Sequence, residues 1–594
     1  MGRPSRPWPL DGNGSVNSPV MRWAWNACVG CFRGTRNAAS MLWRRLERRP
    51  RVLRFLLALL VMIGVGVAIW LLTPEVPVPK YSDKDTTMHT IPNFQEDHIP
   101  ALWTDDAYEC VGWQETDSCE PEDITSRRPL ETKKCDETID QRRAGFCQVR
   151  NKTSGAILRL MVSSCHSMQH RQYTCDMARN FSEFALLAAT YQHMPLATSL
   201  SLPEAQQHPP TRAILMIVYD KVLPSAYAAI RVIRDHGCTL PVEMWYRPDE
   251  MQIDDNALIQ HLVADFNVHL RQIFDPRAVG FHTKPYAVYY SHFDSILLLD
   301  ADNVPVRDPT YLFDDPAFVE TGALFWPDYW QPPNSLFDVT SHSLLWQLLQ
   351  MEFLSEFEQE SGQVLINRRR APAALNKLMY YSTHGPKLLD NLKLIWGDKD
   401  LFRLAWRNTS TAYHMMAKPP AIGGIYSYTK RIFCGLAMIQ YDPQGEILFF
   451  HRNSIKLDGS PNQPHVITHI QQYRGDSRDY RVGQIISELD QESCYYIRTN
   501  RSLASGATPT YVTPIEFTPF DAVEPAAIAY SVEGRRIVEA AASGLATSWW
   551  WPWRWIERMG YASVCMAGVF YGLRWWRAHE AKAHLTTNNR WKSY

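Results

Sequence analysis

An uninterrupted apolar segment, residues 55–72, constrains the organisation of this chain more than any other feature. Its 18 residues contain no charge and no proline, which is near the lower length limit for a helix crossing a bilayer core of about 30 Å. The chain before it is too long for a signal peptide, and no small-residue cleavage site follows it. Arginines crowd its N-terminal side, so the positive-inside rule predicts a cytosolic tail at 1–54 and a single-pass type II topology. We therefore expect everything beyond residue 72 in the secretory lumen.

Six cysteines in a short stretch indicate a disulfide-bonded segment on the luminal side of this predicted span. Cysteines this close together suggest three disulfides, although the sequence does not select their pairing. A zinc site is the alternative, but neither a CxxC pair nor a matching histidine spacing occurs there. An oxidising compartment is the simpler explanation. The cysteines are Cys110, Cys119, Cys135, Cys147, Cys165 and Cys175.

Composition divides the rest of the chain into further segments. Residues 73–105 are polar and punctuated by prolines, which is typical of a stem, and residues 106–200 hold the six cysteines. Residues 211–500 carry a regular pattern of apolar and amphipathic runs, and residues 501–594 form a C-terminal extension. Within that extension, 549–577 is an apolar run flanked by tryptophans and arginines. It would lie on a membrane surface, form a second span, or pack on the main domain.

The region from 211 to 300 alternates between short apolar runs and amphipathic stretches, the pattern of repeated βα units. This predicts an α/β fold with a Rossmann-like, mostly parallel sheet. Ligands of such sheets bind beyond the C-terminal ends of the strands, and Asp300 directly follows the fourth predicted strand. We predict strands at 213–219, 241–246, 268–273 and 295–299, and helices at 224–235, 255–265 and 284–292.

Asp300 and Asp302 stand one residue apart just past this buried strand. Two carboxylates at a strand-to-loop turn can converge on one hard cation, and oxygen ligands suit Mn²⁺ or Mg²⁺. Such a cation bridges diphosphate oxygens and neutralises charge on a departing nucleoside diphosphate. The pair therefore predicts a divalent-metal site for a diphosphate-bearing substrate.

Several sequence blocks, taken in order, carry a family resemblance. The block with the two aspartates reads SILLLDADNVPVRDPTYLFDDPAF at 295–318. The others are HGCTLPVEMWY (236–246), GFHTKPYAVYYS (280–291), GALFWPDYW (322–330), ESGQVLIN (360–367), GDKDLFRLAW (397–406) and FCGLAMIQYDPQGEILFFHRNSIK (433–456). Together they resemble the fungal Golgi alpha-mannosyltransferases that extend or branch mannan and, more distantly, the glycogenin-like retaining transferases of the GT-A fold. The cysteine-rich segment and the C-terminal zone lie outside the resemblance.

The resemblance implies a metal site and a diphosphate site. Asp300 and Asp302 would bind the metal and contact the ribose and diphosphate of the donor, with His451 as a third ligand late in the chain. An imidazole ligand favours Mn²⁺ over Mg²⁺. Lys284 and Lys456 would offer ammonium groups to the diphosphate.

The resemblance also implies a sugar pocket. Gly362 and Gln363 would form part of it, with the glycine allowing a close backbone approach. Asp398 and Asp400 resemble the acidic motif that faces the donor sugar in retaining relatives, and they are the candidate catalytic acids. Those relatives often have glutamine between the acids, where this chain has Lys399, so neither acid is assigned as a nucleophile.

On the acceptor side, Trp326, Asp328 and Trp330 are candidate contacts because sugar faces stack on aromatic rings. Packing of these residues in the core is the alternative.

Sequence and resemblance together predict a retaining, metal-dependent glycosyltransferase in the Golgi membrane with a luminal catalytic domain. The family implies GDP-mannose as donor, Mn²⁺ or Mg²⁺ as cofactor, and a glycan or glycoprotein as acceptor. The residues alone do not separate this from a glucosyl- or galactosyltransferase that uses a UDP-sugar, and a non-catalytic carbohydrate-binding protein is a further alternative. With 61 basic and 62 acidic residues, the net charge of −1 gives no general attraction to nucleic acid.

Overall fold

The computed structural model describes most of the chain between residues 102 and 549, and Thr90–Ala546 form one compact unit. The predicted membrane helix at 55–72 lies outside the described residues, as do the predicted cytosolic tail, nearly all of the stem and the aromatic zone at 549–577. Within the described ranges, no helix is both long and apolar enough to cross a membrane. Those ranges are 102–116, 118–119, 130–194, 211–332, 334–336, 339–427, 432–486, 493–498 and 509–549.

Strands and helices alternate through this part of the chain. The strands are β1 (Tyr108–Glu115), β2 (Thr132–Lys133), β3 (Gly145–Asn151), β4 (Ile157–Ser163), β5 (Arg212–Val218), β6 (Val242–Tyr246), β7 (Val268–Gln272), β8 (Ser295–Leu299), β9 (Asn303–Pro305), β10 (Ala323–Pro327), β11 (Gln359–Asn367), β12 (His414–Met415), β13 (Ala421–Ser427), β14 (Ile432–Tyr441), β15 (Ile447–His451), β16 (His469–Tyr473), β17 (Val482–Ile486), β18 (Ser493–Ile497) and β19 (Thr510–Pro514). The helices are α1 (Ala178–Tyr191), α2 (Leu223–Asp235), α3 (Ala257–Asp265), α4 (Thr283–Tyr290), α5 (Pro316–Thr321), α6 (Leu344–Leu349), α7 (Pro372–Met379), α8 (Leu388–Asn391), α9 (Leu401–Asn408) and α10 (Val523–Trp549).

The cysteine-rich segment folds as a small antiparallel sheet, in the order β2-β1-β3-β4, followed by α1. Three disulfides cross-link it, so the prediction of three bridges is confirmed. Such cross-links reduce the entropy of the unfolded chain, which compensates for the small core of a short sheet. The pairs are Cys110–Cys135, Cys119–Cys165 and Cys147–Cys175.

This small sheet shares its hydrophobic core with the central domain. Phe184 on α1 packs edge-on against Tyr380 at 5.2 Å between ring centroids and stacks on Tyr381 at 5.8 Å. The Gln347 side chain on α6 donates to the carbonyl of Val162 at 2.6 Å and accepts from its N–H at 3.0 Å, extending the hydrogen bonding of β4. The cysteine-rich segment is therefore packed onto the α/β domain through both apolar and backbone contacts.

Seven strands form the central sheet in the order β12-β10-β11-β8-β5-β6-β7. β5 runs parallel to β6 and β8, and β6 runs parallel to β7, whereas β11 is antiparallel to both of its neighbours. β6 and β8 are buried along their whole length, as their continuous apolar sequences require. The predicted α/β class is confirmed, and each element predicted between 213 and 299 is present with its ends shifted by at most two residues.

A second, antiparallel sheet has the order β17-β18-β14-β13-β16-β19, and β15 branches from it by pairing with both β14 and β9. Because β9 follows β8 after only residues 300–302, the β9–β15 ladder joins this sheet to the C-terminal edge of the central one. β19 pairs with β16 over five residues, so this sheet includes residues beyond position 500.

A fourth disulfide, Cys434–Cys494, joins β14 to β18 across 60 residues of sequence. This bridge was not predicted, because neither cysteine lies near the cluster of six. β14 also carries Met438, the register partner of His451, so the cross-linked strand lies directly behind the end of β15.

We predict that replacing both Cys434 and Cys494 with serine lowers the free energy of unfolding by about 2–4 kcal/mol, because the bridge no longer restricts the unfolded chain. Denaturant unfolding of the oxidised proteins measures this difference. Under reducing conditions the variant and the parent should unfold at the same denaturant concentration. Equal midpoints under oxidising conditions would contradict the prediction.

Candidate functional site

The turn between β8 and β9 carries the two aspartates, and β11 fixes its backbone. The Asp300 N–H donates to the carbonyl of Gly362 at 2.9 Å, and the Asp300 carbonyl accepts from the Asn303 N–H at 3.0 Å. The Asn303 side chain donates to the same Gly362 carbonyl at 3.0 Å. Backbone and side chain together therefore hold the turn at the C-terminal edge of the central sheet, where ligands of parallel sheets bind.

Asp300, Asp302 and His451, which we call the metal-site triad, have potential ligand atoms that all lie within 4.8 Å of one another. His451 Nε2 is 3.3 Å from Asp302 Oδ1 and 3.9 Å from Asp300 Oδ2. The β9–β15 ladder brings them together, because His451 is paired in register with Asn303, directly after Asp302. Two carboxylates and one imidazole form a ligand set that divalent cations such as Mn²⁺ accept.

Gly362 leaves space for the imidazole of the triad. A Cβ at this position would lie 2.6 Å from His451 Cε1 and 2.7 Å from its Nδ1. The sequence analysis assigned this close approach to a sugar; in the structure the His451 ring occupies it. Gln363, the neighbouring donor candidate, is buried and accepts from the Asn303 side chain at 2.6 Å. Gly362 therefore makes room for His451, and Gln363 holds Asn303 in the turn that carries the aspartates.

Two lysines hold the aspartates of the triad. Lys284, in the first turn of α4, places its Nζ 2.8 Å from Asp300 Oδ1 and 3.1 Å from Asp398 Oδ2. Lys456, in the loop after β15, contacts Asp302 Oδ2. The side chain of Lys456 is 40% exposed and that of Asp300 is 20% exposed, so the site opens to solvent on this side.

Burial and neighbouring charges shift the pKa values within the triad. Burial raises the pKa of Asp300, and the nearby Asp302 adds to this, while Lys284 opposes it. Burial also acts to raise the pKa of Asp302, but the charges of Lys456 and His451 outweigh it and lower that pKa. Burial would lower the pKa of His451, but Asp302 reverses the shift and raises it. Lys456 and the imidazole thus supply the positive charge that stabilises the ionised carboxylate of Asp302.

A second buried ion-pair group adjoins the triad. Lys399 Nζ lies 2.5 Å from Asp328 Oδ2 and 3.0 Å from Glu360 Oε2. Glu360 also accepts from the N–H of Gly362 at 2.7 Å, which connects the two groups. Burial raises the pKa of Asp328 to about 6; burial would also raise the pKa of Glu360, but Lys399 outweighs it and lowers that pKa to about 2. Lys399, which stands where the retaining relatives often have glutamine, therefore lies between two acidic side chains.

The combined cluster carries more acid than base. Five carboxylates lie against three ammonium groups, which leaves one excess negative charge when the imidazole is protonated and two when it is neutral, the form that binds a metal. Uncompensated charge of this kind is costly inside a protein. A divalent cation among the residues of the triad would balance it, so both the ligand set and the charge fit such an ion. The carboxylates are those of Asp300, Asp302, Asp328, Glu360 and Asp398, and the ammonium groups are those of Lys284, Lys399 and Lys456.

The two candidate catalytic acids lie in different surroundings. Asp398 faces Lys284 and through it the triad. Asp400 begins α9 in a left-handed conformation, with φ of 66°, and accepts from the Gln359 N–H at 3.0 Å and from Arg403 Nε at 2.8 Å. The buried Asp400 carboxylate thus joins α9 to β11, and Asp398 is the member of the pair that faces the triad.

The candidate acceptor residues are also buried. The Trp326 indole N–H donates to the carbonyl of Tyr441 at 2.7 Å, and its ring packs edge-on against Phe449. No face of this ring is exposed, so the structure places Trp326 in the core, the alternative that the sequence left open. Trp330 lies in a separate buried cluster, and Asp328 belongs to the ion-pair group described above.

Two residues at the site were missed by the sequence analysis. Tyr219 directly follows β5. Burial raises the pKa of its hydroxyl group, and the charge of the nearby Lys456 opposes this shift. Asp300 was selected because it directly follows a parallel strand, and the same criterion would have selected Tyr219. Phe281, in the turn before α4, is 47% exposed, and its ring lies over Gly397, where a Cβ would be 2.7 Å away. Since Gly397 precedes Asp398, this exposed aromatic ring borders the site.

Comparison with known proteins identifies the relatives of this chain. Residues 211–442 match the Mannosyl_trans3 family, which describes mannosyltransferases. The chain is 26% identical over 298 residues to the alpha-1,2-mannosyltransferase MNN22 of Candida albicans, covering 43% of this chain and 50% of that protein. It is 29% identical over 255 residues to MNN24 of the same species, covering 36% and 35%. The alpha-1,2-mannosyltransferase MNN2 of Saccharomyces cerevisiae is 24% identical over 260 residues, covering 36% and 43%.

These matches confirm the resemblance to fungal alpha-mannosyltransferases, although the chain spans only about half the length of the curated relatives it matches. Among solved structures, the mannosyltransferase Ktr4p from S. cerevisiae has a TM-score of 0.25 and 11% identity, covering 42% of this chain and 81% of that one. The galactosyltransferase LgtC has a TM-score of 0.25 and 12% identity, covering 34% and 72%.

We predict that Gly362→Ala weakens Mn²⁺ binding by about tenfold or more, because the added Cβ displaces the His451 ring from its place beside the aspartates. Isothermal titration calorimetry with Mn²⁺ measures the affinity. Gly423→Ala is the matched control, because the atoms nearest to its Cβ would be side-chain carbons of Ile439 and Ile467, at 3.1 Å, away from the triad. Equal affinities for the parent and both variants would refute this role of Gly362.

Proposed function

We propose, on the premise that residues 211–442 are a domain of the mannosyltransferase family, that the protein transfers mannose from GDP-mannose to a glycan in a retaining, metal-dependent reaction. The observation that carries the proposal is the convergence of the metal-site triad with the ammonium groups of Lys284 and Lys456 at one opening of the sheet edge. Carboxylates and imidazole suit a divalent cation, and ammonium groups suit a diphosphate. Mannose and retention are inferred from the resemblance.

The proposal includes the wider architecture. We assign residues 211–500 to a GT-A-type domain, extended at its C-terminal end by β19 and the start of α10. The disulfide-rich segment, the stem and the membrane span at 55–72 would place this domain in the Golgi lumen as part of a type II membrane protein. The four disulfides in the described residues support an oxidising compartment.

Mn²⁺ suits the triad better than Mg²⁺, because one of the ligands is an imidazole. When bound, the cation would neutralise charge on the nucleoside diphosphate as that group leaves. Lys456, at the open side of the site, would donate hydrogen bonds to the diphosphate oxygens. Lys284, between Asp300 and Asp398, would hold the inner end of the same group.

Asp398 would orient the donor sugar, since it is the member of the predicted acid pair that faces the site. Beyond it, Glu360, Lys399 and Asp328 offer fixed donors and acceptors of the kind that sugar hydroxyl groups require. Buried polar groups of this type discriminate strongly between substrates, because a ligand without the matching hydroxyl leaves them unpaired.

Two competing functions follow from the same residues. A UDP-sugar would present the same diphosphate to the cation and the lysines, so the nucleotide and sugar are decided by assaying a panel of donors. A luminal protein that only binds carbohydrate would have no need of a triad and two lysines at a strand end. The intact cluster therefore favours catalysis.

We predict that Asp302→Asn lowers the rate of transfer from GDP-mannose by about 100-fold or more, because the triad loses a charged ligand. The rate is measured as transfer of labelled mannose from GDP-mannose to a mannoside acceptor, once with Mn²⁺ and once with EDTA. EDTA should abolish transfer by the parent protein.

Asp314→Asn is the matched control for this experiment, because Asp314 is an exposed aspartate in the same sequence block whose partner is Arg212, away from the triad. It should keep the parent rate. Transfer that survives both EDTA and Asp302→Asn would overturn the metal-dependent mechanism, and no turnover of any donor in the panel would favour the carbohydrate-binding alternative.

We further propose that the acceptor sugar stacks on Phe281 rather than on Trp326. Its exposed ring lies over Gly397, next to the acid that would orient the donor sugar. Phe281→Ala should raise the KM for a mannoside acceptor by about tenfold and leave the KM for the donor unchanged, because it removes one stacking contact.

Steady-state kinetics with each substrate varied separately tests this assignment. Phe281→Tyr should keep the parent values, since it preserves the ring. Phe517→Ala is the matched control at a more exposed phenylalanine, in the turn after β19. An unchanged acceptor KM in Phe281→Ala would contradict the assignment.

A further inference from the structure

Arg452 and Glu524 form an ion pair at the edge of the candidate site, and their side chains are only 3% and 5% exposed. Arg452 directly follows His451, whereas Glu524 stands in the first turn of α10, more than 70 residues later. Both lie beyond residue 442, where the match to the mannosyltransferase family ends. The pair therefore connects the C-terminal helix to the residue beside a metal-site ligand.

Arg452 holds the main chain on both sides of itself. Its backbone N–H donates to the carbonyl of Asp302 at 2.9 Å, which continues the β9–β15 ladder past His451. Its Nε donates to the carbonyl of Ile455 at 3.0 Å, which fixes the loop just before Lys456. One side chain thus spans the segment between the imidazole of the triad and the lysine at the opening.

Both carboxylate oxygens of Glu524 likewise have hydrogen-bond donors. One of its carboxylate oxygens accepts from the Val466 N–H at 3.0 Å, and the other accepts from the Ile467 N–H at 3.1 Å. Arg452 also reaches the carbonyl of Pro464 at 3.4 Å. The two charges are therefore buried with their hydrogen-bonding groups occupied by fixed backbone, the arrangement in which a buried ion pair fixes geometry.

We infer that Arg452 and Glu524 are positioning residues for the metal site: they hold His451 and Lys456 in register with Asp302, and they make the start of α10 a structural part of that site. This inference rests on the proposed metal-binding function. It extends the functional domain to a helix outside the matched family region, and it predicts that removing this pair weakens metal binding.

The same helix supplies a matched control. Glu533, about two and a half turns further along α10, pairs with Arg231 on α2 at 2.8 Å. This second pair also attaches α10 to the domain but contacts neither β15 nor the loop that follows it. Removing the Arg231–Glu533 pair tests the attachment of α10 to the domain while leaving the Arg452–Glu524 pair intact.

The experiment measures Mn²⁺ binding to the full-length protein in detergent by the electron paramagnetic resonance signal of free Mn²⁺, together with thermal unfolding. The main variant carries both Arg452→Met and Glu524→Leu, because apolar residues of similar size can replace a buried ion pair with little loss of stability. The control carries both Arg231→Met and Glu533→Leu. Arg452→Lys keeps the charge but loses the forked contacts of the guanidinium, and it guards against a double variant that fails to fold.

We expect the Arg452–Glu524 variant to unfold near the parent temperature yet bind Mn²⁺ about tenfold more weakly, as loss of outer support does at metal sites. Arg452→Lys should fall between the two, and the Arg231–Glu533 control should bind as the parent does. Parent-like affinity in both folded Arg452 variants would overturn the inference, as would an equal loss in the control. A parent protein that does not bind Mn²⁺ would instead overturn the proposed function, so the two failures are distinguishable.

Discussion

The short ladder between β9 and β15 is the contact on which the candidate site depends. Asp300 and Asp302 are placed by the central sheet, whereas His451 comes from a second sheet whose strands are all antiparallel. The three residues meet because β9 leaves the turn after β8 and immediately pairs with β15. Backbone hydrogen bonds, which have a fixed length and direction, thus set the spacing of the side chains. Gly362 completes the arrangement, because only a residue without a side chain leaves room for the imidazole.

Around this contact the protein concentrates charge that it does not balance internally. Lys284 and Lys456 each hold one aspartate, and Lys399 stands between two further acids. An excess of carboxylate in a buried setting is unfavourable in isolation and favourable once a cation is present. Lys284 and Lys456 are also the groups best placed to bind an anionic substrate, because a cation bound by the aspartates would compete with the two lysines for those carboxylates.

The sequence predicted the parts of this site that depend on local residue patterns. It did not predict the features that depend on where a side chain points or on contacts between distant parts of the chain. The apolar run of β8 and the rule for parallel sheets led directly to Asp300, and the central elements followed from the same periodicity. Asp398 and Asp400 differ by two positions, yet the left-handed backbone at Asp400 turns its carboxylate toward Arg403. Trp326 reads as an aromatic sugar contact, but it belongs to a strand buried on both faces. Cys434 and Cys494 pair across 60 residues, a distance at which spacing carries no signal. The metal role of His451 came from family resemblance, because no periodicity links residue 451 to residue 302.

The stacking of Phe184 on Tyr381 has a consequence for how the chain matures. The disulfide-rich sheet is synthesised first, but the aromatic residues that cover its helix are made only after about 200 further residues. During that interval the apolar face of α1 that carries Phe184 lacks its aromatic partners. Segments in this condition are prone to aggregation and are substrates for chaperones. The yield of folded protein should therefore depend on residues near position 380 as strongly as on the cysteines themselves, even though the two regions are far apart in the sequence.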